Sequence, residues 1–128
     1  MFLSLDFLYT PSADVDAAVE RCVEGLGATL VWRIEAMDTL VAAVRVATHG
    51  PLLLFADHLE GRSPVAIHRV GDYRSAVERV RVSGATELRE VEIPPGPCAT
   101  FSLDGARLGV YECTRPAAGE HLAGRSGA

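Results

Sequence analysis

Two stretches of this chain repeat each other. Asp14 leads into Ala18-Val19-Glu20-Arg21 and then Gly27-Ala28-Thr29, while Asp72 leads into Ala76-Val77-Glu78-Arg79 and then Gly84-Ala85-Thr86. The copies stand about 58 residues apart with a one-residue slip, and a unit of that length packs on its copy because it cannot bury its apolar face alone. Two copies predict a closed, pseudo-symmetric pair.

The 128 residues suffice for one core shared by both copies. With 48% hydrophobic and 23% charged residues the composition is ordinary for a globular protein, and a formal charge of −5 supplies no basic stripe for nucleic acid or for an anionic membrane surface. The apolar opening Met1-Phe2-Leu3-Ser4-Leu5 lacks a basic leader and meets Asp6, so it does not read as a signal peptide. No apolar run reaches the roughly 20 residues of a membrane span. Cys22, Cys98 and Cys113 are odd in number and widely spaced, which fits reduced thiols in the cytoplasm.

Each copy predicts the order β-α-β-β-β. In the first, Leu3 to Thr10 reads as a strand stopped by Pro11, and Asp14 caps a helix whose apolar face is Val15, Ala18, Val19, Cys22 and Leu26. Gly27 ends that helix. Strands at Thr29 to Ile34, Leu40 to Val46 and Leu52 to Ala56 follow, separated by the Glu35 to Asp38 turn and by Thr48-His49-Gly50-Pro51. In the second copy Val65 to Val70 is the first strand, Asp72 caps a helix with Tyr73, Ala76, Val77 and Val80 on its apolar face, and Gly84 closes it. Leu88 to Ile93, Ala99 to Leu103 and Leu108 to Cys113 complete the set, with Pro94-Pro95-Gly96-Pro97 and Asp104-Gly105 as turns. His58 to Ser63 links the modules 1–57 and 64–115, and 116–128 reads as a tail.

This doubled β-α-β-β-β pattern, with an Asp-capped helix and a Gly at each helix exit over residues 3–115, resembles the vicinal oxygen chelate superfamily, the group of glyoxalases, bleomycin-resistance proteins and extradiol dioxygenases. The resemblance implies an α+β fold in which two tandem modules curve a mixed sheet around a cavity, with helices outside. It also implies a homodimer and a divalent metal held by His or carboxylate side chains from the first and last strands of each module. The corresponding positions here are Val65, Gly109, one of Leu53, Leu54 and Phe55, and one of Leu5, Asp6 and Phe7, of which Asp6 alone has a donor. An irregular set of Asp6, His58 and Glu112 is the weak alternative. No cofactor is expected otherwise.

With Val65 and Gly109 facing inward by this resemblance, strand alternation also turns Ile67, Arg69, Arg107 and Tyr111 into the cavity. Phe7, Tyr9 and Arg45 join them by the same count, and Trp32 and Phe101 are candidate walls. Such a cup suits a small apolar or anionic ligand, since guanidinium pairs with carboxylate at two points. Two functions follow as expectations: metal-free sequestration of a small molecule, or a lyase, isomerase or dioxygenase using metal or a proton-transfer pair such as Asp57 and His58. His68 reads as a packing residue. His49 and His121 sit in a turn and in the tail, and Cys113 reads as an inert thiol.

Overall fold

A computed structural model of the chain describes residues 1–36, 38–58 and 63–115. The first module consists of β1 (Phe2–Pro11), α1 (Val15–Leu26), β2 (Thr29–Ala36), β3 (Thr39–Arg45) and β4 (Leu52–Ala56). The second consists of β5 (Val65–Val70), α2 (Tyr73–Val82), β6 (Thr86–Ile93), β7 (Gly96–Leu103) and β8 (Ala106–Tyr111). The repeated residues do the same work in both. Asp14 and Asp72 are extended, and each accepts a hydrogen bond of 3.0 Å from the backbone N–H three residues on, at Ala17 and Ser75. Gly27 (φ 71°) and Gly84 (φ 89°) adopt the left-handed conformation, and the next strand begins two residues later in each case, at Thr29 and Thr86.

All eight strands form one curled mixed sheet in the order β2-β3-β4-β1-β5-β8-β7-β6. Within each module the first and last strands run parallel, and β1 joins β5 antiparallel with Leu8 opposite Ala66. The helices cover the outside. From α1, Val15, Ala18 and Cys22 are buried, the last with Ala28 and Val44, and half-buried Leu53 and Phe55 close over them. From α2, Ala76, Val77 and Val80 pack on Val70, Ala99, Phe101 and Val110. The inner face carries the other core, including Phe7, Leu52, Leu54, Ile67 and Tyr111. Full burial of each such side chain contributes about 1.5–3 kcal/mol, and α1 and α2 alone are too short to persist outside that packing.

Several expectations are corrected. Pro11 does not precede the end of β1 but is its last paired residue, opposite Ala56, whose carbonyl accepts the next N–H, that of Ser12, at 2.9 Å. Leu26 is 68% exposed, because the apolar stripe stops with the last turn of α1 and no further turn holds it to the sheet. The Pro94 to Pro97 turn is shorter than expected, with β7 already starting at Gly96. Asp104 (φ 49°) and Gly105 (φ 88°) do form a two-residue hairpin turn between Leu103 and Ala106. Residue 37 of the first turn, residues 59–62 of the linker and the tail from Pro116, with His121, lie outside the described residues.

Candidate ligand cavity

Alternation along the strands lays two continuous ladders across the concave face. The first runs from Trp32 to Ala43, Leu54, Tyr9 and Val65 on neighbouring strands. It continues one position back from the Ala66–Leu108 pair, to Arg107 and then Ser102. The second ladder runs Leu52, Phe7, Ile67, Gly109, Thr100 and Arg89. Together they border a cavity of about 760 Å³, a size that accommodates a small organic molecule.

Of the residues that the sequence points inward, Phe7, Tyr9, Trp32, Ile67, Phe101 and Arg107 border this space. Phe101 does so from behind, since its side chain belongs to the apolar cluster under α2. Arg45, Arg69 and Tyr111 do not border it, and their placement corrects the expectation. Arg45 is the last residue of β3, opposite Thr29. Arg69 and Tyr111 are partners across β5 and β8 at the end of the cup that side chains fill. Tyr111 is fully buried, with its ring 5.4 Å from that of Phe7, and its hydroxyl donates to the Asp6 carboxylate. The face was right for these residues and the depth was wrong.

The irregular metal set is also corrected, because its members point to different places. A bulge between Leu5 and Phe7 sets Asp6 outside the β1–β5 register and turns it into the filled end, where it accepts from Ser4 at 2.7 Å and from Tyr111. His58 stands at the cavity mouth, Nε2 3.3 Å from the Tyr9 hydroxyl. Glu112 lies on the α2 side and accepts the Tyr73 N–H at 2.7 Å, at the positive end of that helix. Asp57 does not orient His58 but accepts the Leu40 N–H at 3.0 Å. Among the described residues no three His, Cys, Asp or Glu side chains come together as a metal cluster.

The positions at which the resemblance implies metal ligands do not fit an ion. Phe7, Leu54 and Val65 offer hydrocarbon, and Gly109 offers no side chain at all. A Cβ there would meet Ile67 Cγ1 at 3.0 Å and the Ala99 carbonyl oxygen at 3.3 Å.

Other lining residues escaped the sequence reading, most of all Arg89, Thr100, Ser102 and Glu87. The alternation Arg89, Val91, Ile93 back from the Pro-Gly turn was the available signal for Arg89, because all three line the cavity. For Glu87 the cause is local: an extra residue on β6 between the pairs Thr86–Ser102 and Arg89–Thr100, with Glu87 at φ 57°. Trp32 Nε1 is buried without a hydrogen-bond partner among the described residues, on a side chain that lines the cavity.

Burial raises the pKa of three groups on the inner face. The Cys98 thiol is pushed up from 9.0 to about 12, first by burial and then by Glu92. The Tyr9 and Tyr111 phenols lie far above their usual value, again through burial, reinforced for Tyr111 by its bond to Asp6. The folded chain therefore keeps protons that the unfolded chain releases near pH 9 to 10, so stability is complete below that window and falls as pH rises through it. Tyrosinate absorbance is expected to rise together with loss of helix signal in an alkaline titration, and ionisation of these phenols well before unfolding would contradict it.

No family model matches the sequence, and no curated protein does. Solved structures match it in fold. The chain resembles methylmalonyl-CoA epimerase from Mycobacterium tuberculosis with 19% identity and a TM-score of 0.72, over 91% of this chain and 92% of that one. Streptomyces coelicolor methylmalonyl-CoA epimerase in complex with 2-nitronate-propionyl-CoA matches at 11% identity and TM-score 0.68, over 89% and 99%. A glyoxalase I variant from Zea mays matches at 15% identity and TM-score 0.67, over 88% of this chain and 44% of that longer one. The chain has the vicinal oxygen chelate fold.

Proposed function

We propose that this chain is a small-molecule-binding protein of the glyoxalase and bleomycin-resistance type, which sequesters an apolar or anionic ligand in its cup without a metal ion. The observation that carries this reading is the cavity of about 760 Å³ whose chelating positions hold Phe7, Leu54, Val65 and Gly109. Binding would be driven by withdrawing apolar ligand surface from water against those walls, at about 25 cal/mol per Å². Three free thiols, two of them buried, suit a cytoplasmic setting. Among the described residues no helix is long and apolar enough to cross a membrane.

The test is a melting-shift screen of organic acids and amides on protein stripped with a chelator. The stripped protein is expected to melt where the untreated protein does, and a bound compound at 100 times its Kd raises stability by about 2.7 kcal/mol. A metal present at one ion per chain, with stability lost on chelation, would overturn the metal-free reading.

A second reading, a metal-free isomerase or lyase, is favoured by the Tyr9–His58 contact, which sets an imidazole beside a phenol at the cavity mouth. Its mark would be turnover lost in His58→Ala with ligand binding retained. We also propose a homodimer, supported by the exposed apolar side chains Met1, Phe2, Leu3 and Leu5 gathered at the start of β1. Sedimentation giving the single-chain mass of 13.6 kDa at micromolar concentration would exclude it.

A further inference from the structure

The two halves of the cup repeat each other in backbone but not in chemistry. On the first module the lining is mostly apolar, with Trp32, Ile34, Val41, Leu54, Phe7 and the Tyr9 ring, and with Thr39 and His58 as its other polar members. On the second the apolar lining continues, but the carboxylate and guanidinium side chains of the lining, Glu87, Arg89, Glu92 and Arg107, are all there, beside Thr100 and Ser102. The second ladder makes the gradient explicit, since it passes from Leu52, Phe7 and Ile67 through Gly109 to the Thr100 hydroxyl and the Arg89 guanidinium without reversing.

The charges on the polar side are unequally committed. Glu92 is paired with Arg115 at 3.2 Å, and Glu87 accepts the Ser102 hydroxyl at 3.1 Å. Arg107 donates to the Ser63 carbonyl at 2.6 Å. Arg89 has no ion pair or hydrogen bond shown among the described residues, and it stands opposite Thr100, whose other neighbour is Gly109. Arg89 and Thr100 both line the cavity.

We infer that the cavity takes an amphipathic organic anion in one orientation, its apolar body against the first module and its anionic group at Arg89 and Thr100 on the second. This rests on the small-molecule reading above and specifies the ligand class and its polarity. An exposed guanidinium is screened by solvent, so the preference for charge is expected to be several-fold rather than absolute.

The experiment uses three compounds of one shape: phenylbutyrate, phenylbutyramide and phenylbutylammonium. Trp32 is the only tryptophan of the chain, so its emission reports occupancy of the cup directly. Phenylbutyrate is expected to bind about fivefold or more tighter than the amide, with the gap closing as salt is added, and the ammonium is expected to bind weakest. Arg89→Met should bring the carboxylate to the affinity of the amide while leaving the amide unchanged, and Arg89→Lys should restore part of the gap. Equal binding of carboxylate and amide, or tightest binding of the ammonium through Glu87, would overturn the inference and leave the binding function standing. Silence from all three compounds, in emission and in melting, would overturn the inference together with the reading on which it rests.

Discussion

Gly96→Ala is expected to lower stability by about 3 kcal/mol or more, enough to leave much of the chain unfolded at ambient temperature. Gly96 opens β7 at φ 156°, where L side chains are strained, and a Cβ built there falls 2.0 Å from the carbonyl oxygen of Glu112. The neighbour is backbone and cannot swing aside. The strand end that carries it is held by the Glu112 N–H on the Pro97 carbonyl at 3.2 Å and the Thr114 N–H on the Pro95 carbonyl at 2.9 Å. Relieving the clash therefore breaks the tie between the second Pro-Gly turn and the end of β8. Gly25→Ala is the matched control, with nothing within 4 Å of the added methyl and an exposed helical position, and it should stabilise by about 0.5–1 kcal/mol. Urea unfolding of both variants measures the contrast; a Gly96→Ala protein within 1 kcal/mol of the parent would show that the turn is far softer than this packing.

Gly109→Glu places a carboxylate where the superfamily resemblance implies a metal ligand, and it is expected to cost about 4 kcal/mol without creating a metal site. The added Cβ presses on Ile67 Cγ1 at 3.0 Å and on the Ala99 carbonyl oxygen at 3.3 Å, and the charge beyond it enters a floor made by Phe7 and Ile67. Burying a carboxylate against Phe7 and Ile67 costs stability, and one carboxylate beside Thr100 does not make a metal site. The melting temperature should fall and should not recover on adding zinc, manganese or nickel. Recovery with any of them would mean that donors reach this point from elsewhere in the cup, and the metal-free reading would fail with it.

The module structure was legible because it depends on local chemistry. An Asp that caps a helix, a Gly that leaves it and an Asp-Gly pair that reverses the chain act within a few residues of themselves, which is why β4 and β5 have the expected bounds and both helices begin after their caps. Alternation likewise placed Phe7, Tyr9, Ile67 and Arg107 on the concave side. It failed at Arg45, Arg69 and Tyr111 for one reason: period two states the face of a strand and not whether the space above that face is empty. At Tyr111 that space is taken by Phe7 and the Asp6 carboxylate, which the bulge in β1 delivers from another strand.

The amino-acid order alone thus settled two β-α-β-β-β units, their pairing, and the lack of donor side chains at three of the four expected chelating positions, since each follows from residue type and short-range spacing. Tertiary structure decided which end of the cup is hollow, that Asp6, His58 and Glu112 point to three separate places, and that Arg89 stands opposite Thr100 on the cavity wall. Those outcomes depend on volumes and cross-strand register summed over residues far apart in the chain, and packing is where that sum is taken.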